Sequence, residues 1–352
     1  MNVQLPVRQA ILLRRTYEAP AEGRANKIRL DFNENTTGCS AAARKALARL
    51  TAKQIATYPE YAAPTRKLAR YFRVHPDELL LTNGGDDALR VFFDTFVEPR
   101  TSVLICEPTF PMYRYYAEIA GARVQVLRYG ANMEFPLEQA LAALRKKPRV
   151  FFLANPNNPT GTQVPPAAVR KLLRAATHTV VVLDEAYAEF SPESAVPWVR
   201  RYPHLFVART FSKAEGMAGL RLGAVIGQRD SLSLVRRAMP PYPVNAAALA
   251  AGVAAVEERK TIACYIRNVK RLRTWFAREL QNRNVRVYPS SANFLLADFG
   301  KNGAAFFRKL ECHGILVRER SHDLGPGFAR ITIGTAPELK KLLRLLGRNS
   351  RE

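Results

Sequence analysis

The sequence predicts an α/β protein: a mostly parallel sheet covered by helices, with a second, smaller α+β domain. Three observations carry this expectation. Short, near-continuous apolar runs at 79–82, 102–106, 150–154 and 180–184 alternate with helical stretches, as strands buried on both faces do. The alternation stops after Arg229, where long helical stretches at 245–258 and 261–283 lead away. The chain has 352 residues, 47% of them hydrophobic, which is enough for a large core and two domains.

Each element follows in order. Residues 1–27 read as an arm. A short strand at 28–32 leads into the polar stretch Asn33-Glu34-Asn35-Thr36-Thr37-Gly38. Ser40 reads as the N-cap of a helix over 41–50, Tyr58-Pro59 as a turn, and 63–73 as a helix. Strands are expected at 79–82, 102–106, 123–127, 150–154, 180–184, 205–208 and 222–226. Helices are expected between them at 84–96, 113–120, 137–145 and 167–176. The second part adds strands at 285–288, 294–298, 315–317 and 329–333, a helix at 304–313 and a final helix. The expected division is an arm at 1–27, a large domain at 46–240, and a small domain built from 28–45 and 241–352.

The net charge is +24. Basic residues are spread along helical stretches such as 267–283 and 340–348, so the reading is a solvated basic surface that attracts anions. No dedicated nucleic-acid or membrane partner is expected, and neither a zinc-finger spacing nor an apolar run of membrane-spanning length is present. Cys39, Cys106, Cys264 and Cys312 are widely separated, without metal-type or redox spacing. They read as free thiols, which points to a cytoplasmic protein.

Polar clusters fall at the carboxyl ends of predicted strands, where open α/β sheets bind ligands. Gly84-Gly85-Asp86 opens a helix whose free N–H groups suit a phosphate, although a plain glycine turn fits as well. Asn155-Pro156-Asn157-Asn158-Pro159-Thr160-Gly161 is a turn that also presents Asn158. Asp184-Glu185-Ala186-Tyr187 ends a buried strand, where a carboxylate needs a cationic partner. Thr210-Phe211-Ser212-Lys213 carries one lysine behind two hydroxyls, with Arg221 eight residues on.

One ligand satisfies all of them: a phosphorylated pyridine aldehyde held covalently on Lys213. Asp184 keeps the ring nitrogen protonated, which makes the ring an electron sink. Tyr187 and Asn158 serve the ring hydroxyl. Gly85, Asp86, Thr210, Ser212 and Arg221 serve the phosphate. Phe110, in Pro108-Thr109-Phe110, covers the ring, although an ordinary core role fits it equally.

These motifs resemble the class I/II (fold-type I) pyridoxal-phosphate aminotransferases, and within them the histidinol-phosphate aminotransferase branch. Asn-Asn-Pro-Thr-Gly, then Asp-Glu-Ala-Tyr, then Ser-Lys with an arginine eight residues later form a specific combination, and the match runs from Asp31 to about Thr335. The resemblance implies a seven-stranded-type sheet, pyridoxal 5'-phosphate, and a homodimer with shared sites. It implies that Arg330 binds the substrate α-carboxylate and that Arg318 lies near a distal phosphate. It further implies that Tyr58 reaches the cofactor phosphate of a neighbouring subunit and that Asn33 and Tyr17 help form the substrate pocket. Asn293 reads as structural. Catalysis falls to Lys213, Asp184 and Tyr187. The expected reaction interconverts histidinol phosphate and 2-oxoglutarate with imidazole acetol phosphate and glutamate, in histidine biosynthesis. The sequence departs from the family pattern at Thr36, Phe110, Pro111 and Gly85. Three alternatives stand beside this reading: an aromatic amino-acid aminotransferase, a threonine-phosphate decarboxylase, and a basic nucleic-acid-binding protein.

Overall fold

In the computed structural model, which describes residues 5–12 and 22–347, the apolar runs become the strands of two sheets. Chain order gives β1 (Ile28–Leu30), β2 (Leu79–Thr82), β3 (Ser102–Glu107), β4 (Arg123–Arg128), β5 (Val150–Ala154) and β6 (Val180–Asp184). There follow β7 (Leu205–Thr210), β8 (Gly223–Gly227), β9 (Arg286–Val287), β10 (Phe294–Asp298), β11 (Ile315–Glu319) and β12 (Phe328–Thr332). The larger sheet has seven strands in the order β2-β8-β7-β6-β5-β3-β4. All neighbours are parallel except β8, which is antiparallel to both β7 and β2. The smaller sheet has five strands in the order β1-β11-β12-β10-β9.

Side chains alternate across the larger sheet as the pleat requires. Phe151 and Leu153 enter one core, while Val150, Phe152 and Ala154 enter the core on the opposite face. The helix Gly84–Phe96 seals that second face. Phe93 stacks on Phe152 with ring centroids 4.7 Å apart, and Phe92 meets Phe206 at 5.2 Å. Each such fully buried ring contributes roughly 1.5–3 kcal/mol of hydrophobic stabilisation. A third core lies on the smaller sheet, where Val269, Phe276 and Leu280 of the helix Arg259–Gln281 meet Leu295, Ile331 and Leu339. Tyr187, Phe190 and Ala214, all from loops at the edge of the larger sheet, join this third core. The carboxyl ends of β5, β6 and β7 therefore face the smaller sheet.

Three departures from the sequence reading have physical causes. The helix expected over 41–50 ends at Ala48, and a short helix Ala52–Ala56 restarts behind a capping box formed by Thr51 and Gln54. Ser40 does cap the first helix, its hydroxyl accepting from the Ala43 amide at 3.2 Å. A helix Arg229–Arg236 forms where the sequence showed only a change of pattern; it is short, and of its three large apolar residues Leu232 and Val235 are buried while Leu234 is exposed. Finally, Ala43 and the helix Ala246–Glu257, expected in the smaller domain, pack into a core of the larger sheet. The helix is apolar on all sides, so it is buried wherever it lands. No helix among the described residues is long and apolar enough to cross a membrane.

Candidate active site

A cavity of about 350 Å³ opens at the carboxyl ends of β5, β6 and β7. Lys213 stands in it, three residues past β7, on a loop that Gly216 lets press against Gly38. Gly216 has φ +70, and a Cβ there would lie 2.6 Å from the Gly38 carbonyl oxygen. Lys213 Nζ donates to the Phe32 carbonyl at 3.0 Å and lies 5.8 Å from the Tyr187 ring centroid. Burial, reinforced by the nearby Arg330, pushes the amine down to about 8. A substantial share of the lysine is therefore neutral near physiological pH, which is what a nucleophile or base needs.

Asp184 ends β6 beside it. Its carboxylate accepts from Tyr113 Oη at 2.7 Å and from the Ala186 amide at 3.0 Å. Burial raises its pKa, and these two bonds act in the opposite direction. Tyr187 Oη accepts from Asn33 Nδ2 at 3.0 Å. Asn33 is fixed in turn, its amide bonded to Thr332 Oγ1 at 2.9 Å and its carbonyl accepting from Asn293 Nδ2 at 3.1 Å. Arg330 donates to Asn158 Oδ1 and to the Asp31 carbonyl, leaving its buried Nε without a partner among the described residues. Burial pushes this guanidinium down to about 10.

At the other end, Thr210 Oγ1 and Ser212 Oγ lie 3.0 Å apart, beside Gly85 and Asp86. Arg221 adopts a left-handed backbone (φ 55) and donates to Asp86 at 3.1 Å. Gly84 has φ +83, and a Cβ there would fall 2.6 Å from Arg221 Nη2. The glycine therefore leaves room for the guanidinium at the helix start, among free N–H groups that suit an anion.

The model of the class I and II aminotransferases matches residues 25–346. The chain belongs to this family. It is 35% identical over 332 residues to the histidinol-phosphate aminotransferase of Geobacillus sp. (strain WCH70), spanning 92% of this chain and 90% of that one. The solved histidinol-phosphate aminotransferase of Sinorhizobium meliloti, in complex with pyridoxal-5'-phosphate, superposes with a TM-score of 0.83 at 26% identity, covering 91% and 89% of the two chains. The L-threonine-O-3-phosphate decarboxylase of Porphyromonas gingivalis gives a TM-score of 0.79 at 25% identity, covering 91% of this chain and 98% of that one.

The cavity of this aminotransferase fits pyridoxal phosphate. A buried carboxylate, a buried amine, and a cradle of hydroxyls and a guanidinium meet in one space, with Phe110 and Ala208 also lining it. Of the residues singled out in the sequence, Gly85, Asp86, Phe110, Asn158, Asp184, Tyr187, Thr210, Ser212, Lys213, Arg221, Arg318 and Arg330 all line it. Asn33 is buried behind Tyr187. Tyr58 is not brought to the cavity: it is 78% exposed and stacks on Tyr242 at 4.4 Å. Tyr17 lies outside the described residues.

The sequence reading missed Tyr113, Phe32 and Arg320. Tyr113 sits one helical turn after Phe110, and that spacing at a strand end was the available signal. Phe32 acts through its backbone and Arg320 through a loop, so neither left a signal in the sequence.

Proposed function

We propose that the protein is a pyridoxal-phosphate-dependent aminotransferase acting on histidinol phosphate and 2-oxoglutarate. One observation carries the reading: a buried lysine whose amine is pushed down to about 8 shares a cavity with a buried, hydrogen-bonded carboxylate and with Arg330, whose Nε has no partner among the described residues. The relatives' names supply the substrate. When bound, pyridoxal phosphate supplies a carbonyl carbon for amines and a ring that accepts the electron pair released at the substrate Cα.

The chain's own residues do the rest. Gly85, Thr210, Ser212 and Arg221 would hold the phosphate with N–H groups, hydroxyls and a guanidinium. Asp184, its charge supported by Tyr113 and Ala186, would stabilise the proton on the ring nitrogen. Tyr187 and Asn158 would hold the ring oxygen, and Asn33 fixes Tyr187. Lys213 Nζ, the nearest base, would take the proton from the substrate Cα and deliver it to the carbon that the cofactor's carbonyl supplies, so that the amino group stays with the cofactor; the reverse transfer serves the 2-oxo acid. Arg330 receives the anionic group attached next to that carbon. In 2-oxoglutarate this group is a carboxylate. In histidinol phosphate it is a phosphate two bonds farther out, which reaches toward Arg318.

Three further parts belong to this proposal. The two sheets with their helices form a large and a small domain, with the cavity between them. Two copies are proposed to assemble with shared sites: Ile55, Tyr58 and Tyr242 are exposed, Tyr58 stacks on Tyr242, and Tyr58 would need a second copy to meet a cofactor. The compartment is the cytoplasm, in keeping with four free cysteines.

The test is chemical trapping. Pyridoxal phosphate is added to the protein, the adduct is reduced with borohydride, and the digest is weighed. The label is expected on the peptide carrying Lys213 and absent from Lys213→Ala. Labelling elsewhere with Lys213 untouched contradicts the reading.

A further inference from the structure

Three arginines stand on one face of the smaller sheet. Arg318 on β11 is directly opposite Arg330 on β12 in the antiparallel register. Arg320 lies two residues beyond Arg318, and its amide continues the ladder by donating to the Phe328 carbonyl at 2.8 Å. Residues two apart on a strand share a face, so Arg318, Arg320 and Arg330 converge, and all three line the active-site cavity. Like charges placed opposite one another in a sheet are destabilising. Arg318 and Arg320 also act on Arg330, lowering its proton affinity.

The compensating anions are few. Among the described residues Arg330 and Arg318 form no ion pair, and Arg320 has one, from Nη2 to Asp323. Asp31 and Glu34 are nearby but bonded to Arg24 and Arg29. Arg320 is 5% exposed, and its Nε has no hydrogen-bond partner among the described residues. A buried guanidinium N–H left unpaired is costly, so the arrangement asks for a ligand oxygen. A carboxylate presents two oxygens and is served by one guanidinium fork. A phosphate monoester carries nearly two charges and three strong acceptors, enough for several guanidinium groups.

We propose that Arg320 is a specificity-determining residue of the substrate site, one that with Arg318 favours substrates carrying a phosphate monoester over substrates carrying only carboxylates. Asp323 holds one end of the guanidinium and leaves the other for the ligand. This inference rests on the aminotransferase reading of the same cavity and names which part of the substrate the third arginine selects.

The test uses the cofactor-loaded protein, wild type and with Arg320→Gln or Arg320→Lys. The first half-reaction is followed with histidinol phosphate and, separately, with glutamate, and inorganic phosphate binding is measured by calorimetry. A hydrogen bond to a charged group is worth about 1.5–3 kcal/mol, so Arg320→Gln is expected to weaken phosphate and histidinol phosphate binding roughly tenfold or more. The loss with glutamate is expected to be smaller by about the same factor, and Arg320→Lys recovers part of the phosphate binding. Equal losses with both donors, or unchanged phosphate affinity, overturn the proposal and reduce Arg320 to a clasp for Asp323. A wild-type enzyme that responds to glutamate but not to histidinol phosphate would instead overturn the substrate reading, while the calorimetry still reports on Arg320.

Discussion

At the scale of single residues, the site works through burial. Lys213 is made reactive because it is enclosed and because its strongest charged influence is the arginine Arg330, which outweighs each of the carboxylates Glu34 and Asp86. Asp184 has the opposite problem. Enclosure favours its neutral form, and the Tyr113 hydroxyl and the Ala186 amide counter that. Tyr113→Phe removes one of the two bonds. Losing a hydrogen bond to a charged group costs on the order of 1.5–3 kcal/mol, so turnover is expected to fall roughly tenfold or more. The direction in pH is fixed as well. Without that bond the carboxyl holds its proton more tightly, so the acid limb of the kcat profile moves to higher pH. Rate profiles of the two proteins check this; a limb that stays in place would remove Tyr113 from the account.

At the scale of elements, the strand ends carry a second layer of charge behind the cavity. Arg209 on β7 is buried with Glu185 and Glu189, donating to Glu185 at 2.8 Å and lying over the Phe72 ring. Glu215, two residues past Lys213, shares this enclosure and accepts from Tyr71 Oη at 3.1 Å. One arginine faces three carboxylates, and burial with repulsion from Glu189 pushes Glu215 up to about 8. The folded chain therefore holds a proton that the unfolded chain releases once the pH exceeds the ordinary glutamate range. This part of the stability is present at low pH and is lost as pH rises from about 4.5 toward 8. Glu215→Gln keeps the shape and removes the titration. Its melting temperature is expected to gain on the wild type between pH 5 and 8, which differential scanning calorimetry would show. A constant difference across that range contradicts the assignment.

At the scale of the whole molecule, the proposed dimer makes its own prediction. Sedimentation is expected to give twice the mass of the 352-residue chain. Tyr58→Phe is expected to weaken pyridoxal phosphate binding without changing that mass, because the residue loses only its hydroxyl; a monomer with full cofactor affinity would exclude shared sites. The same scale explains what the sequence made legible. β5 is apolar along its whole length and β7 is apolar through Ala208, so their positions and their polar ends could be read directly. Lys213, Asp184 and Arg221 stood at those ends in a recognisable spacing. Tyr113, Arg320 and the carboxylates around Arg209 could not be read in this way. Each matters because of what the fold lays against it, and an arginine on a strand looks the same in sequence whether water or a cavity faces it. The helix Ala246–Glu257 was misplaced for a related reason: an all-apolar helix announces burial without naming which core it enters.

The central claim is that this cavity moves an amino group from histidinol phosphate. The most direct measurement mixes the cofactor-loaded protein with histidinol phosphate, without any 2-oxo acid, and follows the cofactor's absorbance. Conversion of the cofactor from its aldehyde to its amine form, reversed by 2-oxoglutarate, is the predicted result. An unchanged spectrum, with a response instead to phenylalanine or with carbon dioxide released from threonine phosphate, would contradict it.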